Sequence, residues 1–140
     1  MYKRWIAIMT VILLALTGTA VAQTENGNIA LPQYTHIARI KVTFAIQDGK
    51  AQCYAFGYSR YADTTTTIKV TLQKRAANET TWRAICSWDD TKTGRTFATV
   101  DAEKTVVQGY DYRIYVKCTI KDSEGVIKET DSMYSNIVSY

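Results

Sequence analysis

From Thr35 onward, apolar and polar residues alternate with a period of two over much of the chain. In the first such segment, A-R-I-K-V-T-F-A-I, the even-numbered residues from Ile40 to Ile46 are apolar, while Arg39, Lys41 and Thr43 are charged or polar. This alternation indicates strands with one buried face. No window after the N-terminal region has helical periodicity, and the strand formers threonine and tyrosine are abundant. The sequence therefore predicts an all-β protein.

Turn signals divide the chain into about seven to nine short strands, which predicts a two-sheet β-sandwich. Asp48-Gly49 is a typical hairpin turn, and D-D-T-K-T-G, Asp89 to Gly94, is expected to be a loop. In W-R-A-I-C-S-W, Trp82 to Trp88, both tryptophans share a parity with Cys86, whereas Ile85 has the other parity. That break in the alternation favours a β-bulge.

The first 22 residues have the pattern of a signal peptide. A basic start, Lys3-Arg4, is followed by an apolar run from Trp5 to Leu16 and by the small-residue sequence Ala20-Val21-Ala22. We expect cleavage after Ala22, with Ala20 and Ala22 as the recognition residues. The alternative is an uncleaved membrane anchor, although the uncharged span is barely long enough to cross a hydrocarbon core of about 30 Å. The prediction is a secreted protein with no membrane segment after cleavage.

The remaining chain is expected to comprise a flexible lead-in, residues 23–34, and one β-sandwich domain, residues 35–140. The lead-in is polar and contains Pro32, the only proline in the sequence. Cleavage would remove Lys3 and Arg4 and would lower the formal net charge from +4 to +2. This small charge, without any run of more than two basic residues, argues against nucleic acid as a partner.

The segment V-V-Q-G-Y-D-Y-R-I-Y-V-K-C, Val106 to Cys118, has the pattern of a core strand. Val106, Gly109 and Tyr112 resemble the entry to the sixth strand of immunoglobulin-like and fibronectin type III domains. That resemblance implies a tyrosine corner, in which the Tyr112 hydroxyl bonds to the backbone of the preceding corner. A buried phenol needs such a partner, so Tyr112 is interpreted as structural.

Over nearly its full mature length the chain also resembles a family of small secreted proteins of Gram-positive, clostridia-type bacteria. The resemblance is carried by A-R-I-K-V-T-F, by L-Q-K-R with W-R-A-I-C-S-W, by G-Y-D-Y-R-I-Y-V and by Y-S-N-I-V-S-Y. It implies export and a β-rich fold, and it carries no catalytic residue across.

Three cysteines, Cys53, Cys86 and Cys118, remain after cleavage. Three pairings are open, and the separation of Cys53 and Cys118 resembles the inter-sheet disulfide of immunoglobulin domains. We expect this bridge, with Cys86 as a free thiol, or else three buried free thiols.

Whether the Cys53 side chain points into or away from the core decides the role of three aromatic residues on the same strand. If Cys53 faces inward, Tyr54, Phe56 and Tyr58 point outward and form a ligand surface, with Tyr115 near them on the same sheet. If Cys53 faces outward, the three aromatics are core residues. Three free thiols would favour the second arrangement.

Groups for catalysis are sparse. His36 is the only histidine, which excludes a multi-histidine metal site, and no nucleophile, zinc or phosphate-loop motif occurs. Acidic residues are expected in turns, with Asp89-Asp90 in one and Asp101 and Glu103 beside another. No metal, cofactor or enzymatic activity is predicted.

We therefore expect an extracellular, non-catalytic binding or adhesion module whose partner is a glycan or a protein at the cell surface. The alternatives are a secreted effector, such as a bacteriocin-like toxin or a protease inhibitor, and a structural surface protein without a discrete ligand site.

Overall fold

The computed structural model of the protein describes residues 34–140. The predicted signal peptide, residues 1–22 with Ala20 and Ala22, lies outside the described residues, as does the lead-in up to residue 33.

The described chain forms eight strands in two antiparallel sheets. The strands are β1 (Ile37–Gln47), β2 (Lys50–Ser59), β3 (Thr65–Ala76), β4 (Arg83–Thr93), β5 (Ala98–Thr105), β6 (Tyr110–Lys121), β7 (Ile127–Tyr134) and β8 (Val138–Ser139). One sheet has the order β1-β2-β5, and the other has the order β4-β3-β6-β7, with β8 paired to β6. This arrangement confirms the predicted two-sheet sandwich of the immunoglobulin and fibronectin type III kind.

The turn between β1 and β2 lies at the predicted position. Asp48 and Gly49 have φ values of 51° and 73°, and the last paired residues on either side are Gln47 and Lys50. Two successive residues in the left-handed region are characteristic of a type I′ turn, whose twist matches that of the strands it joins.

Strand β4 confirms the predicted bulge but contradicts the predicted loop. Leu72 pairs with Cys86 and Gln73 pairs with Ala84, so Ile85 is the extra residue. Asp89 to Thr93 continue the strand, paired with β3, instead of forming a loop. Cross-strand hydroxyl contacts support this pairing, including one of 2.9 Å between the Thr67 and Thr91 side chains, because such pairs stabilise neighbouring strands.

The core lies between the sheets and is filled mainly by β3 and β6. The inward residues of these two strands are at most 1 % exposed: Thr66, Ile68, Val70, Leu72, Tyr112, Ile114, Val116, Cys118 and Ile120. The inward face of β2 instead carries Ala51, Cys53, Ala55 and Gly57.

Small residues on β2 allow this strand to lie close to the opposite sheet. A Cβ atom added to Gly57 would lie 2.8 Å from the Cδ1 atom of Ile68 and 3.1 Å from the Sγ atom of Cys118. The space inside the sandwich at this point is already occupied by the large side chains of β3 and β6. The aromatic residues of β2 therefore have no room on the inner face.

Candidate binding face

Strand β2 directs its three aromatic side chains away from the core. Cys53 is 1 % exposed, whereas Tyr54, Phe56 and Tyr58 alternate with the buried residues and remain partly exposed. Of the two arrangements open from the sequence, the structure has the one with outward aromatics. These rings lie on the central strand of the three-stranded sheet.

A fourth ring, that of Phe97, completes an aromatic cluster with Tyr54, Phe56 and Tyr58. The Phe97 ring centre lies 5.1 Å from that of Phe56 and 4.6 Å from that of Tyr58, both edge-on, and Tyr54 contacts Phe56 at 6.2 Å. Phe97 is 51 % exposed. Phe97 is not predictable from the alternation of β2 because it precedes β5, and only the pairing of Gly57 with Ala98 brings it beside Tyr58.

A depression of about 220 Å³ with both polar and apolar lining adjoins the aromatic cluster at Tyr54. Its lining contains two carboxylates, an amide and a hydroxyl in addition to the ring of Tyr54: Asp101, Glu103, Gln52 and Thr43. Asp101 pairs with Tyr54 and Glu103 with Gln52 across β2 and β5. The expectation that these two acids flank a turn is therefore wrong, because both lie within β5.

The opposite border of the aromatic cluster is basic. Lys41 pairs with Phe56, and Arg39 pairs with Tyr58. The guanidinium carbon of Arg39 lies 5.9 Å from the ring centre of Phe56, which is a cation–π distance. The outer face of this sheet therefore changes from cations on β1, through aromatic rings on β2, to carboxylates on β5.

Tyr115 does not belong to this face. It lies on β6 and pairs with Thr71 and Tyr134 in the other sheet, where its ring centre is 5.0 Å from that of Tyr134. The predicted grouping of Tyr115 with Tyr54, Phe56 and Tyr58 is wrong. Periodicity places a residue on the inner or outer face of its own sheet, but it does not tell which of the two sheets contains the strand.

The three cysteines are free thiols, which contradicts the expected Cys53–Cys118 bridge. The residue of β2 that approaches Cys118 is Gly57, and Cys53 is four residues away along the strand, a distance of about 13 Å. Disulfides require Cα atoms about 4–7 Å apart. The expected link between free thiols and buried aromatics is also wrong, because Cys53 faces inward without forming a bridge.

Burial makes two of the thiols unreactive. It raises the pKa of Cys53 to about 12, with a smaller contribution from Cys86. Burial also raises the pKa of Cys118 to about 12, with Asp131 and Glu129 adding to it. Because the thiolate is the nucleophile, neither residue is suited to covalent chemistry at neutral pH.

Tyr112 has the contacts that its resemblance to a tyrosine corner implies. It is 1 % exposed, and its hydroxyl donates a hydrogen bond of 2.6 Å to the carbonyl of Val107. The N–H of Val107 donates back to the same hydroxyl at 3.2 Å. Both partners lie in the corner that precedes β6, so the role of Tyr112 is structural.

Asp90, which was expected in a turn, links the two sheets. Its carboxylate accepts a hydrogen bond of 2.9 Å from the N–H of Thr99. This bond lowers the pKa of Asp90, against a smaller effect of burial, and Lys92 lowers it further. Residues 34–140 contain no group of three or more His, Cys, Asp or Glu side chains arranged to hold a metal ion.

Within residues 34–140 there is no helix of the length and hydrophobicity needed to cross a membrane.

The solved structures that resemble this chain include two distant likenesses. The solution structure of R. palustris CsgH is similar with a TM-score of 0.39 and 11% identity, over 70% of this chain and 89% of that one. The crystal structure of a β-glucosidase from Kluyveromyces marxianus in complex with glucose is similar with a TM-score of 0.40 and 10% identity, over 76% of this chain and 15% of that one. No protein-family model and no curated protein matches the sequence.

Proposed function

We propose that the protein is an extracellular, non-catalytic binding module that holds a cell-surface glycan on the outer face of its β1-β2-β5 sheet. The binding site would consist of the aromatic cluster and the depression beside Tyr54. Export rests on the signal-peptide pattern of residues 1–22 and on the resemblance to small secreted proteins of Gram-positive bacteria.

The observation that carries this proposal is the outward placement of four adjoining aromatic rings. Exposed aromatic surface costs free energy in water, about 25 cal/mol for each Å², and a ligand that covers it regains that energy. Phe97 is the most exposed of the four, at 51 %. The narrow interior explains why β2 carries no large inward residues, but it does not require aromatic residues on the outer face.

The chemistry of this face suits a neutral sugar polymer. Aromatic rings provide flat apolar surfaces for the C–H faces of sugar rings, and polar groups beside them fix orientation through hydrogen bonds. Asp101 and Glu103 can accept hydrogen bonds from hydroxyl groups, and Gln52 can both donate and accept. All three line the depression that adjoins Tyr54.

Affinity electrophoresis of the mature protein in gels that contain neutral polysaccharides would test the proposal. Retardation by at least one polymer is expected, and Tyr54→Ala or Tyr58→Ala should weaken binding about tenfold, because stacking contacts at such surfaces contribute about 1–3 kcal/mol each. Tyr61→Ala is the matched control, since Tyr61 is 45 % exposed but contacts His36 instead of the cluster.

Circular dichroism of each variant would verify that the fold is retained. If no polysaccharide retards the wild-type protein, or if Tyr61→Ala weakens binding as much as Tyr54→Ala, the proposed site is wrong. Retention by cell-surface protein alone would indicate a protein partner instead.

A further inference from the structure

The outer face of the β4-β3-β6-β7 sheet carries an excess of positive charge. On three of its strands, β3, β4 and β6, five cations and two carboxylates occupy outward positions: Lys69, Arg75, Arg113, Lys117 and Lys121 against Asp89 and Asp111. This face is distinct from the aromatic cluster, which lies on the other sheet. Its charges are arranged unevenly, and two features of that arrangement favour an external anion.

The first feature is a pair of like charges in direct register. Lys69 on β3 pairs with Lys117 on β6, and both side chains are exposed. Like charges directly opposite one another destabilise a sheet. Asp89 pairs with Lys69 on its other side, but within residues 34–140 neither lysine forms a salt bridge.

The second feature is a guanidinium group held in place by aromatic rings. The guanidinium carbon of Arg113 lies 4.1 Å from the ring centre of Trp82 and 3.9 Å from that of Tyr134. Its Nε–H donates a hydrogen bond of 2.9 Å to the side-chain oxygen of Gln73. Among the described residues, no carboxylate forms a salt bridge with Arg113.

These contacts hold Arg113 in place without neutralising its charge. Stacking and the bond to Gln73 fix the plane of the guanidinium group, and its terminal N–H groups are suited to a sulfate, phosphate or carboxylate. Arg75 also stacks on Trp82, at 4.5 Å, but it is paired with Asp111. Arg113 is thus the cation of this stack without an acidic partner.

Hydroxyl groups occupy the surface between the two features. Tyr115 and Thr71 pair in the row that separates Arg113 from Lys117, and the Thr71 hydroxyl lies 2.9 Å from that of Ser87. Arg113 and Lys117 are four residues apart on β6, which corresponds to about 13 Å. A ligand that spans them would contact cations at both ends and hydroxyls between.

We infer that this face binds an anionic extracellular polysaccharide, with Lys69 and Lys117 holding one acidic group and Arg113 another. In the described part of the chain, Asp89 is the one carboxylate in the row of Lys69 and Lys117 and forms no salt bridge with either, so an external acidic group would balance the remaining positive charge. The hydroxyl row is suited to the polyhydroxylated backbone of a sugar polymer. A polyanion bound mainly through charge is released by salt. The inference is independent of the proposed neutral-glycan site, because no residue is shared.

Chromatography on immobilised heparin, a sulfated polysaccharide, would test this inference with the mature protein. We expect retention at low salt, and a dissociation constant about tenfold larger for the double variant Lys69→Gln/Lys117→Gln. Arg113→Lys should also weaken binding severalfold, because it keeps the charge but loses the planar fork. On immobilised dextran, which is uncharged, the wild type and Lys69→Gln/Lys117→Gln should be retained equally.

A matched double variant on the other sheet, Lys41→Gln/Lys104→Gln, removes the same charge and is the control. If it weakens heparin binding as much as Lys69→Gln/Lys117→Gln, the effect reflects net charge and the inferred site is wrong. Equal affinity for a single-stranded DNA homopolymer at the same salt concentration would contradict a polysaccharide ligand. Unaltered heparin binding by the double lysine variant would also overturn the inference, whatever the outcome for Tyr54→Ala.

Discussion

At the scale of single residues, two buried hydroxyl groups of neighbouring threonines differ in their surroundings. The Thr64 hydroxyl donates a hydrogen bond of 2.8 Å to the carbonyl of Tyr61 and lies 2.6 Å from the Ser59 hydroxyl. The Thr66 hydroxyl has no hydrogen-bond partner among the described residues, although Thr66 is 0 % exposed. A buried polar atom without a partner loses its hydration without compensation.

Thr66→Val is therefore expected to raise the free energy of unfolding by about 1 kcal/mol, because it replaces the unpaired hydroxyl with a methyl group. Thr64→Val should lower it by about 1–2 kcal/mol, because it removes a hydrogen bond that is satisfied. Urea denaturation of both variants measures these changes. A destabilising effect of Thr66→Val as large as that of Thr64→Val would show that the Thr66 hydroxyl is satisfied in solution.

Tyr112 gives a second prediction at this scale. Tyr112→Phe keeps the buried ring but removes the hydroxyl that donates to Val107. The carbonyl and N–H of Val107 then both lose a partner, so we expect a loss of about 1–3 kcal/mol of stability. Tyr110→Phe is the control. It also removes a tyrosine hydroxyl, but Tyr110 contacts Tyr112 through its ring. Equal urea midpoints for the two variants would contradict a structural role of the Tyr112 hydroxyl.

At the scale of strands, β7 holds the segment that leads into β1. The Glu129 carboxylate accepts hydrogen bonds from the backbone N–H groups of Thr35 and His36, at 3.0 Å and 2.8 Å, and from that of Ile37. The Tyr34 hydroxyl donates to the Asp131 carboxylate. Two acids of β7 thereby join the edges of the two sheets on this side of the sandwich.

The pKa of Glu129 shows which of these contacts depends on pH. Burial tends to raise this pKa, but the N–H groups of Ile37, Thr35 and His36 outweigh that effect and hold it below the usual value. A carboxyl whose pKa is depressed by folding stabilises the protein above its unfolded-state pKa, and this contribution is lost as the pH falls through the folded-state pKa. The ionised carboxylate therefore stabilises the fold at neutral pH.

We expect Glu129→Gln to lower the stability by about 1–2 kcal/mol at pH 7. The stability of the wild type should also fall more steeply than that of the variant below about pH 4.5, where the free carboxyl becomes protonated. Urea denaturation at a series of pH values measures both effects. Glu124→Gln, in the exposed turn before β7, should leave the stability and its pH dependence unchanged, and parallel pH profiles for all three proteins would contradict this role of Glu129.

At the scale of the whole molecule, the two sheets are held together by packing and by side-chain bridges instead of a disulfide. Cys53 and Cys118 are both buried between the sheets but are displaced along the strands. Asp90 links β4 to β5, and Glu129 links β7 to the start of β1. At each of these two margins of the sandwich, an acidic side chain of one sheet thus accepts a hydrogen bond from a backbone N–H group of the other sheet.

The free thiols predict an order of chemical labelling. Iodoacetamide should modify the partly exposed Cys86 first, although burial also raises its pKa. Cys53 and Cys118 should react only after denaturant exposes them, because their high pKa values leave almost no thiolate at pH 8. Peptide mapping by mass spectrometry with and without urea measures this. Rapid labelling of Cys118 in the native protein, or recovery of a Cys53–Cys118 cross-linked peptide, would contradict the structure.

The sequence by itself determined those properties that depend on neighbouring residues. Alternation with a period of two specifies a strand and its two faces, so the class of fold and the turn at Asp48-Gly49 were predictable. The bulge at Ile85 was predictable for the same reason, since an extra residue changes the parity of the side chains that follow it. The hydrogen bond of Tyr112 is also local, because its partner is five residues away.

Only the tertiary structure decided which strands are neighbours and how far each is displaced along the other. Assignment of β6 to the second sheet separates Tyr115 from Tyr54, and the offset between the sheets places Gly57, not Cys53, against Cys118. The large inward side chains of β3 and β6 leave room for only small residues on the inner face of β2, so its aromatic residues point outward. Sheet membership and offset result from packing among residues distant in the chain, and a two-residue period is the same for every choice of partner.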